Sequence, residues 1–181
     1  MELQLARTIR KTGSELGREL TMELKLIDGE WLSVTVPQGF QAIPQGELES
    51  LMGFKYDYMW GMRNADRHMV AAVTWKDSNG VLTKLASEKS LAKRVDETNA
   101  KRYRKHGYRR NGFFAREVAG ASAQAQGVRF SYDVEGVAHE GEALVFKRGT
   151  RCYTLYYYTR SDAAAENRPI YEEIASSLAI R

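Results

Sequence analysis

Residues 142–160 read EALVFKRGTRCYTLYYYTR. The segments EALVFK and RCYTLYYYT are rich in β-branched and aromatic residues, and RGT between them has the length of a hairpin turn. Alternation along the second segment puts Tyr153, Leu155 and Tyr157 on one face and Cys152, Thr154, Tyr156 and Tyr158 on the other. A strand whose two faces are both apolar or aromatic belongs in the middle of a sheet that is covered on both sides. Leu144, Val145 and Phe146 supply cross-strand partners, each aromatic pair contributing roughly 0.2–1 kcal/mol. The expected burial places Leu155 and Tyr157 inside, while Tyr156 and Tyr158 keep at least their hydroxyls near water.

Working outward, VRFSYDVEG (128–136) sets Val128, Phe130, Tyr132 and Val134 on one face and pairs with FFAREVAGASAQ (113–124). HMVAAVTWK (68–76) is apolar on both faces, a second central strand. It follows FKYDYMWGM, in which Phe54, Tyr56, Tyr58, Trp60 and Met62 share a face, across a turn at NADR. Near the N-terminus Met22, Leu24 and Leu26 alternate, DG (28–29) turns the chain, and Leu32, Val34 and Val36 alternate back until Pro37.

Helical periodicity occupies the remainder. Leu5, Ile9, Leu16 and Leu20 predict an amphipathic helix over residues 1–20, weakened by Gly13 and Gly17. QGELESLMG (45–53) is a short helix, and DSNG (77–80) is a turn. A long helix is predicted from Thr83 to His106, with Leu85, Ala92, Val95, Asn99 and Tyr103 on one stripe and Gly107 as its cap. RPIYEEIASSL (168–178) closes the chain as a helix with Pro169 near its first turn and Ile170, Ile174 and Leu178 at helical spacing.

Strands that come in adjacent hairpins argue for an α+β protein, an antiparallel sheet of about six strands flanked by helices on both faces as an α/β/α sandwich. No repeat or linker interrupts the 181 residues, so the expectation is one domain, with the 1–20 helix packing on or extending from a core at 22–180.

This order of elements resembles the PsbP-like superfamily. The resemblance rests on VTVPQGF (34–40), on a strand pair followed by a long helix and two further hairpins, on the Gly120 region, and on the closing IYEEIASSLAI. That group holds an extrinsic subunit of photosystem II, a nuclear Ran-binding factor, bacterial lipoproteins and chaperones for secreted effectors. The resemblance implies an antiparallel sheet between helical layers and a role in protein binding without catalysis. It carries over no individual functional residue, because the Ran-binding member is understood to use acidic contacts and the charged feature here is basic.

Catalytic constellations are scarce. His68, His106 and His139 sit on different elements without metal-ligand spacing, and HEGE (139–142) reads as solvated charge at a hairpin entry. Cys152 has no activating base nearby in sequence, and Glu172 and Glu173 are adjacent on a helix and so face apart. Nucleotide-binding glycine motifs and the G-x-S-x-G elbow are missing. The reading is a protein without enzymatic activity, catalytic residues, metal or cofactor. The lone cysteine and the charge-broken N-terminus suggest the cytoplasm, with a mature exported protein as the alternative. The longest aliphatic run, MVAAV (69–73), is far short of the ~18 residues a spanning helix needs.

Charge is the strongest chemical signal. Ten Lys/Arg and three acidic residues lie between Lys84 and Arg110, in a chain whose net charge is only +4. KRYRKHGYRR (101–110) concentrates six of them with His106 and two tyrosines. Cations at a helix C-terminus complement its dipole, but a dipole accounts for a few, not for this number. Lys101, Arg102, Arg104, Lys105, Tyr108, Arg109 and Arg110 are therefore the candidate partner-binding residues. The expected partner is a protein. The alternative is an anionic surface or nucleic acid, gripped by Arg102, Arg104, Lys105, Arg109 and Arg110.

Overall fold

The computed structural model describes residues 7–10, 20–25, 31–53, 58–77 and 85–181. Side-chain surroundings are described from residue 31 onward within those ranges. The central hairpin forms as its alternation dictates. Val137–Arg148 is a long strand, β9, and Arg151–Arg160 is β10, in register from Arg148↔Arg151 to His139↔Arg160. On the other side of β10 lies β6 (Met69–Asp77), the second strand with two apolar faces. The remaining strands are β4 (Gln41–Ala42), β5 (Tyr58–Asn64), β7 (Arg109–Arg116) and β8 (Ala125–Val134). They complete an antiparallel sheet of seven strands in the order β4-β5-β6-β10-β9-β8-β7.

A second sheet of four strands runs β1 (Arg7–Arg10), β2 (Leu20–Lys25), β3 (Trp31–Val36), β11 (Ala179–Ile180). The expected helix over residues 1–20 is corrected here. Arg7–Arg10 is a strand whose Ile9 stands opposite Met22 of β2. Arg-Thr-Ile-Arg carries two β-branched residues, and a helix containing Gly13 and Gly17 forgoes about 1 kcal/mol at each, so pairing with a free strand edge wins. Leu20 also begins a strand, β2, opposite Val36, while residues 1–6 and 11–19, Leu26, the DG turn, Phe54, Tyr56, residues 78–80 of DSNG and Thr83 lie outside the described residues.

One face of the main sheet is covered by α3 (Ala164–Ser177) and the small sheet. Tyr153, Leu155, Tyr157, Phe146 and Trp60 pack there against Tyr171, Ile174, Leu32 and Val34. Tyr157 stacks on Tyr171 with ring centroids 4.2 Å apart. Pro169 is the sixth residue of α3, not a first-turn residue, because a 3-10 turn at Ser161–Ala163 starts the helix earlier. The opposite face is covered by α1 (Gln45–Met52) and α2 (Glu88–Arg102), over Tyr156, Tyr158, Phe130, Val128 and Ala143.

Leu155 and Tyr157 are buried as expected, but Tyr156 and Tyr158 are buried too, at 3% and 9% exposure. The Tyr158 hydroxyl is itself buried. The sequence could not place α1 and the Tyr103–Tyr132 pair over that face, and their rings close it. Burial raises the Tyr158 hydroxyl pKa well above its ordinary value.

Two close approaches fix glycine. The tip of the Phe130 ring lies over its register partner Gly141, where a Cβ would meet it at 2.6 Å. At Gly120 (φ +80°) a Cβ would lie 2.0 Å from the Ile180 carbonyl oxygen. There Ala119 bridges to Ala179, with the Ile180 amide donating to the Ala119 carbonyl at 2.9 Å, and the small sheet is seamed to the main one. Arg148 reaches the same Ile180 carbonyl at 2.5 Å.

Candidate partner-binding surface

α2 begins later than periodicity suggested. Ser87 is its N-cap, its hydroxyl accepting from the Ser90 amide at 3.2 Å, and Leu85 stands exposed ahead of it. The helix ends at Arg102, a 3-10 turn holds Arg104–His106, and Gly107 (φ 63°) reverses the chain into β7. The basic run is thus divided among a helix end, a tight turn and the start of an edge strand.

That division gives its residues two different jobs. The Tyr108 hydroxyl donates to Asp96 Oδ1 at 2.6 Å, and Arg110 pairs with Asp96 Oδ2 at 3.0 Å. Asp96 on α2 is nearly buried, so these two residues fasten β7 to the helix. Burial and then the Asp96 bond push the Tyr108 hydroxyl pKa far up, because a phenolate there would face a carboxylate. The Arg110 guanidinium also lies 5.1 Å from the Phe113 ring centroid, and that of Arg102 5.9 Å from Tyr103. Lys101, Arg104, Lys105 and Arg109 are exposed and make no ion pair among the described residues. Of the seven candidates, those four are the ones whose charge is left for a partner.

Beside them the sheet face opens. Tyr103 stacks on Tyr132 with centroids 4.0 Å apart, and Tyr132 stacks on His139 at 5.2 Å. This row of three rings is the wall between two hollows. One, of about 640 Å³, has Tyr108, Arg109 and Asn111 on one side and Asp133 and Glu140 on the other. The second, of about 160 Å³, is lined by Leu51, His68, Val70, Tyr103 and Tyr158. Leu51 is half exposed at its rim. The arrangement offers an apolar, aromatic pocket next to a turn whose Lys101, Arg104 and Lys105 are exposed, with Arg109 in the larger hollow that also holds Asp133 and Glu140.

The sequence missed Leu51, Tyr132, His139 and the buried Tyr158 as lining of the hollows beside the basic run, since they come from four other elements. It also misread Glu142. HEGE is not a hairpin entry but the interior of β9, where Glu142 is 1% exposed. Facing α3, its carboxylate accepts from Arg129 Nε at 2.7 Å and pairs with Arg168 of α3. Burial raises the hydroxyl pKa of neighbouring Tyr171, and the Glu142 charge raises it further. This cluster joins β8, β9 and α3 away from the aromatic hollows.

Cys152 is buried, and burial pushes its thiol pKa up, the wrong direction for a thiolate nucleophile. Among the described residues no group of three His, Cys, Asp or Glu side chains is placed to hold a metal, and no helix is long and apolar enough to cross a membrane.

No protein-family model matches the chain, and neither does any curated protein sequence. Solved structures do match. Cyanobacterial PsbP (CyanoP) from Synechocystis superposes with a TM-score of 0.61 at 15% identity, over 83% of this chain and 86% of that one. LpqN, involved in cell envelope biogenesis of Mycobacterium tuberculosis, gives 0.54 at 12% identity, over 98% and 92%. The Ran-binding protein Mog1p of Saccharomyces cerevisiae gives 0.52 at 9% identity, over 87% and 94%. An antiparallel sheet in this order, with a long helix before its last four hairpin-linked strands and a closing helix on the far face, is the PsbP-like fold.

Proposed function

We propose that the chain is a non-catalytic protein-binding or chaperone-like module that holds an acidic segment of a partner protein. Lys101, Arg104, Lys105 and Arg109 attract the segment's carboxylates. The pocket formed by Leu51, Val70, Tyr103, Tyr132 and Tyr158 receives one of its apolar or aromatic side chains. The observation that carries this reading is the placement of four unpaired cations beside an aromatic hollow that the covering helices leave open. Aromatic pockets ringed by charge are where binding energy concentrates in protein interfaces. Mog1p, a Ran-binding protein by name, is a precedent for this fold serving as a protein-binding scaffold.

Nucleic acid is the second reading, supported by the same cations.

Selection of a random peptide-display library on the protein tests the proposal. The expected consensus combines acidic residues with an aromatic or large aliphatic one, and Arg104→Glu/Lys105→Glu/Arg109→Glu abolishes its binding. A consensus lacking acidic residues overturns the reading. So does tight oligonucleotide binding that weakens steeply between two salt concentrations, with no peptide retained.

A further inference from the structure

We propose that β7 is a docking edge, and that the acidic segment adds to it antiparallel as an eighth strand of the main sheet. The inference rests on the preceding reading that the partner is a protein with an acidic segment, and it supplies the mode of recognition.

The two edges of the main sheet are built differently. At one end β4 is only two residues long, a length that offers an incoming strand almost nothing. At the other end β7 runs for eight residues, and among the described residues β8 is its only neighbour in the sheet. Its outer backbone groups therefore face away from the sheet, the template on which extended segments add. Edge strands are commonly guarded by proline, outward charge or a bulge. β7 has no proline, and its register shift between Arg110 and Gly112 leaves Gly112–Arg116 in regular pairing with Arg129–Ala125. Two of its flanking cations are folded back onto the protein, Arg110 onto Asp96 and Arg116 onto Glu172. Between them Asn-Gly-Phe-Phe-Ala carries no charge, and Phe113 is 45% exposed.

Charge fixes the direction and the occupant. From Thr98 to Arg116 the chain has seven Lys/Arg and no acidic residue. The unpaired ones, Lys101, Arg104, Lys105 and Arg109, all lie at or before the start of β7. Every ladder in the main sheet is antiparallel. A segment added in the same sense presents its first, apolar half to Phe113 and its last, acidic half to Arg109 and the exposed cations that precede it. A second copy of the chain fits poorly, because its own β7 carries no acidic residue to meet Lys101, Arg104, Lys105 and Arg109.

The test uses fluorescent peptides and anisotropy on the full chain. SVTVTVEEE should bind, and the reversed order EEEVTVTVS should bind at least about tenfold more weakly. Methylating alternate backbone nitrogens of the VTVTV half in one of its two phases should also cost about tenfold or more, as expected when one or two ladder bonds are lost. Amide exchange at Gly112–Arg116 should slow when SVTVTVEEE is bound. If the forward peptide and both methylated forms bind alike, the segment docks through side chains: strand addition is refuted while the acidic-partner reading stands. If no acidic peptide binds, both fall. If sedimentation shows a dimer that Phe113→Glu disperses, a second copy occupies the edge and the proposal is refuted.

Discussion

Replacing Phe130 by leucine and Gly141 by alanine, singly and together, measures how the aromatic wall is built. Phe130 is fully buried, and its ring covers the bare backbone of Gly141 on the next strand. Tyr108, Tyr132 and Tyr158 stand with centroids 5.6–6.1 Å from it. Phe130→Leu removes ring volume from a packed site and should cost about 1–2 kcal/mol. Gly141→Ala introduces a Cβ 2.6 Å from the ring and 3.0 Å from the Tyr157 carbonyl oxygen. A buried ring cannot swing away, so overpacking of about 1–3 kcal/mol follows. In the double variant the new methyl enters the space that the ring has left. The close approach to the Tyr157 carbonyl persists, so part of the alanine cost remains. Loss in the double variant should therefore be about 2 kcal/mol against a sum near 3.5, a coupling of about 1–2 kcal/mol. Urea titration of all four proteins, with m-values compared, gives the cycle. Additivity within about 0.4 kcal/mol would refute the claim that this ring is what demands glycine at 141.

Arg104→Glu/Lys105→Glu/Arg109→Glu should leave the urea midpoint almost unchanged, by about 1 kcal/mol or less for exposed cations without ion pairs; unfolding of this variant would make the patch structural. Five of the ten tyrosines, at 108, 132, 157, 158 and 171, have hydroxyl pKa values raised chiefly by burial, Tyr157 to about 12. The folded state holds these protons more tightly than the unfolded chain, so their contribution is complete below the ordinary tyrosine pKa of about 10 and is lost as pH rises toward 12. Tyrosinate absorbance of the folded protein should fall short of the full ten by these five, whose signal appears only at higher pH or with unfolding; smooth titration of all ten near pH 10 would contradict the burial. Cys152, buried with a raised thiol pKa, should be silent toward a thiol reagent until the chain unfolds, and fast native labelling would show that strand β10 opens locally.

The central sheet was legible because each strand carries its own alternation. The 151–160 pattern of apolar residues on both faces needs no knowledge of what lies above or below. Residues 1–20 misled because a sparse apolar pattern with two glycines fits a weak helix and a short strand alike, and the partner strand decides between them. Charge density at 101–110 was visible, but its division was not. Asp96 lies fourteen positions before Arg110, and only the Gly107 reversal brings the two together. Glu142 looked solvated because the arginine it meets on α3 is twenty-six residues downstream. The hollows required Leu51, Tyr132, His139 and Tyr158 to converge, which is a matter of register and helix placement that no local spacing encodes.

The seam at Ala119, Gly120 and Ile180 has a kinetic consequence. β11 also pairs with β3, whose partners Ser33 and Leu32 precede Ala179 and Ile180 by almost the whole chain. Contacts of such sequence separation carry the greatest loop-closure cost and raise contact order, which slows folding. The hairpins from β7 to β10 close locally and can form on a partly synthesised chain, whereas β3 must wait for residues 179–180 before its outer edge is paired. During that interval Leu32 and Val34 lack their final cover, and the exposed edge of β3 is the place where a nascent or refolding chain is most open to wrong pairing.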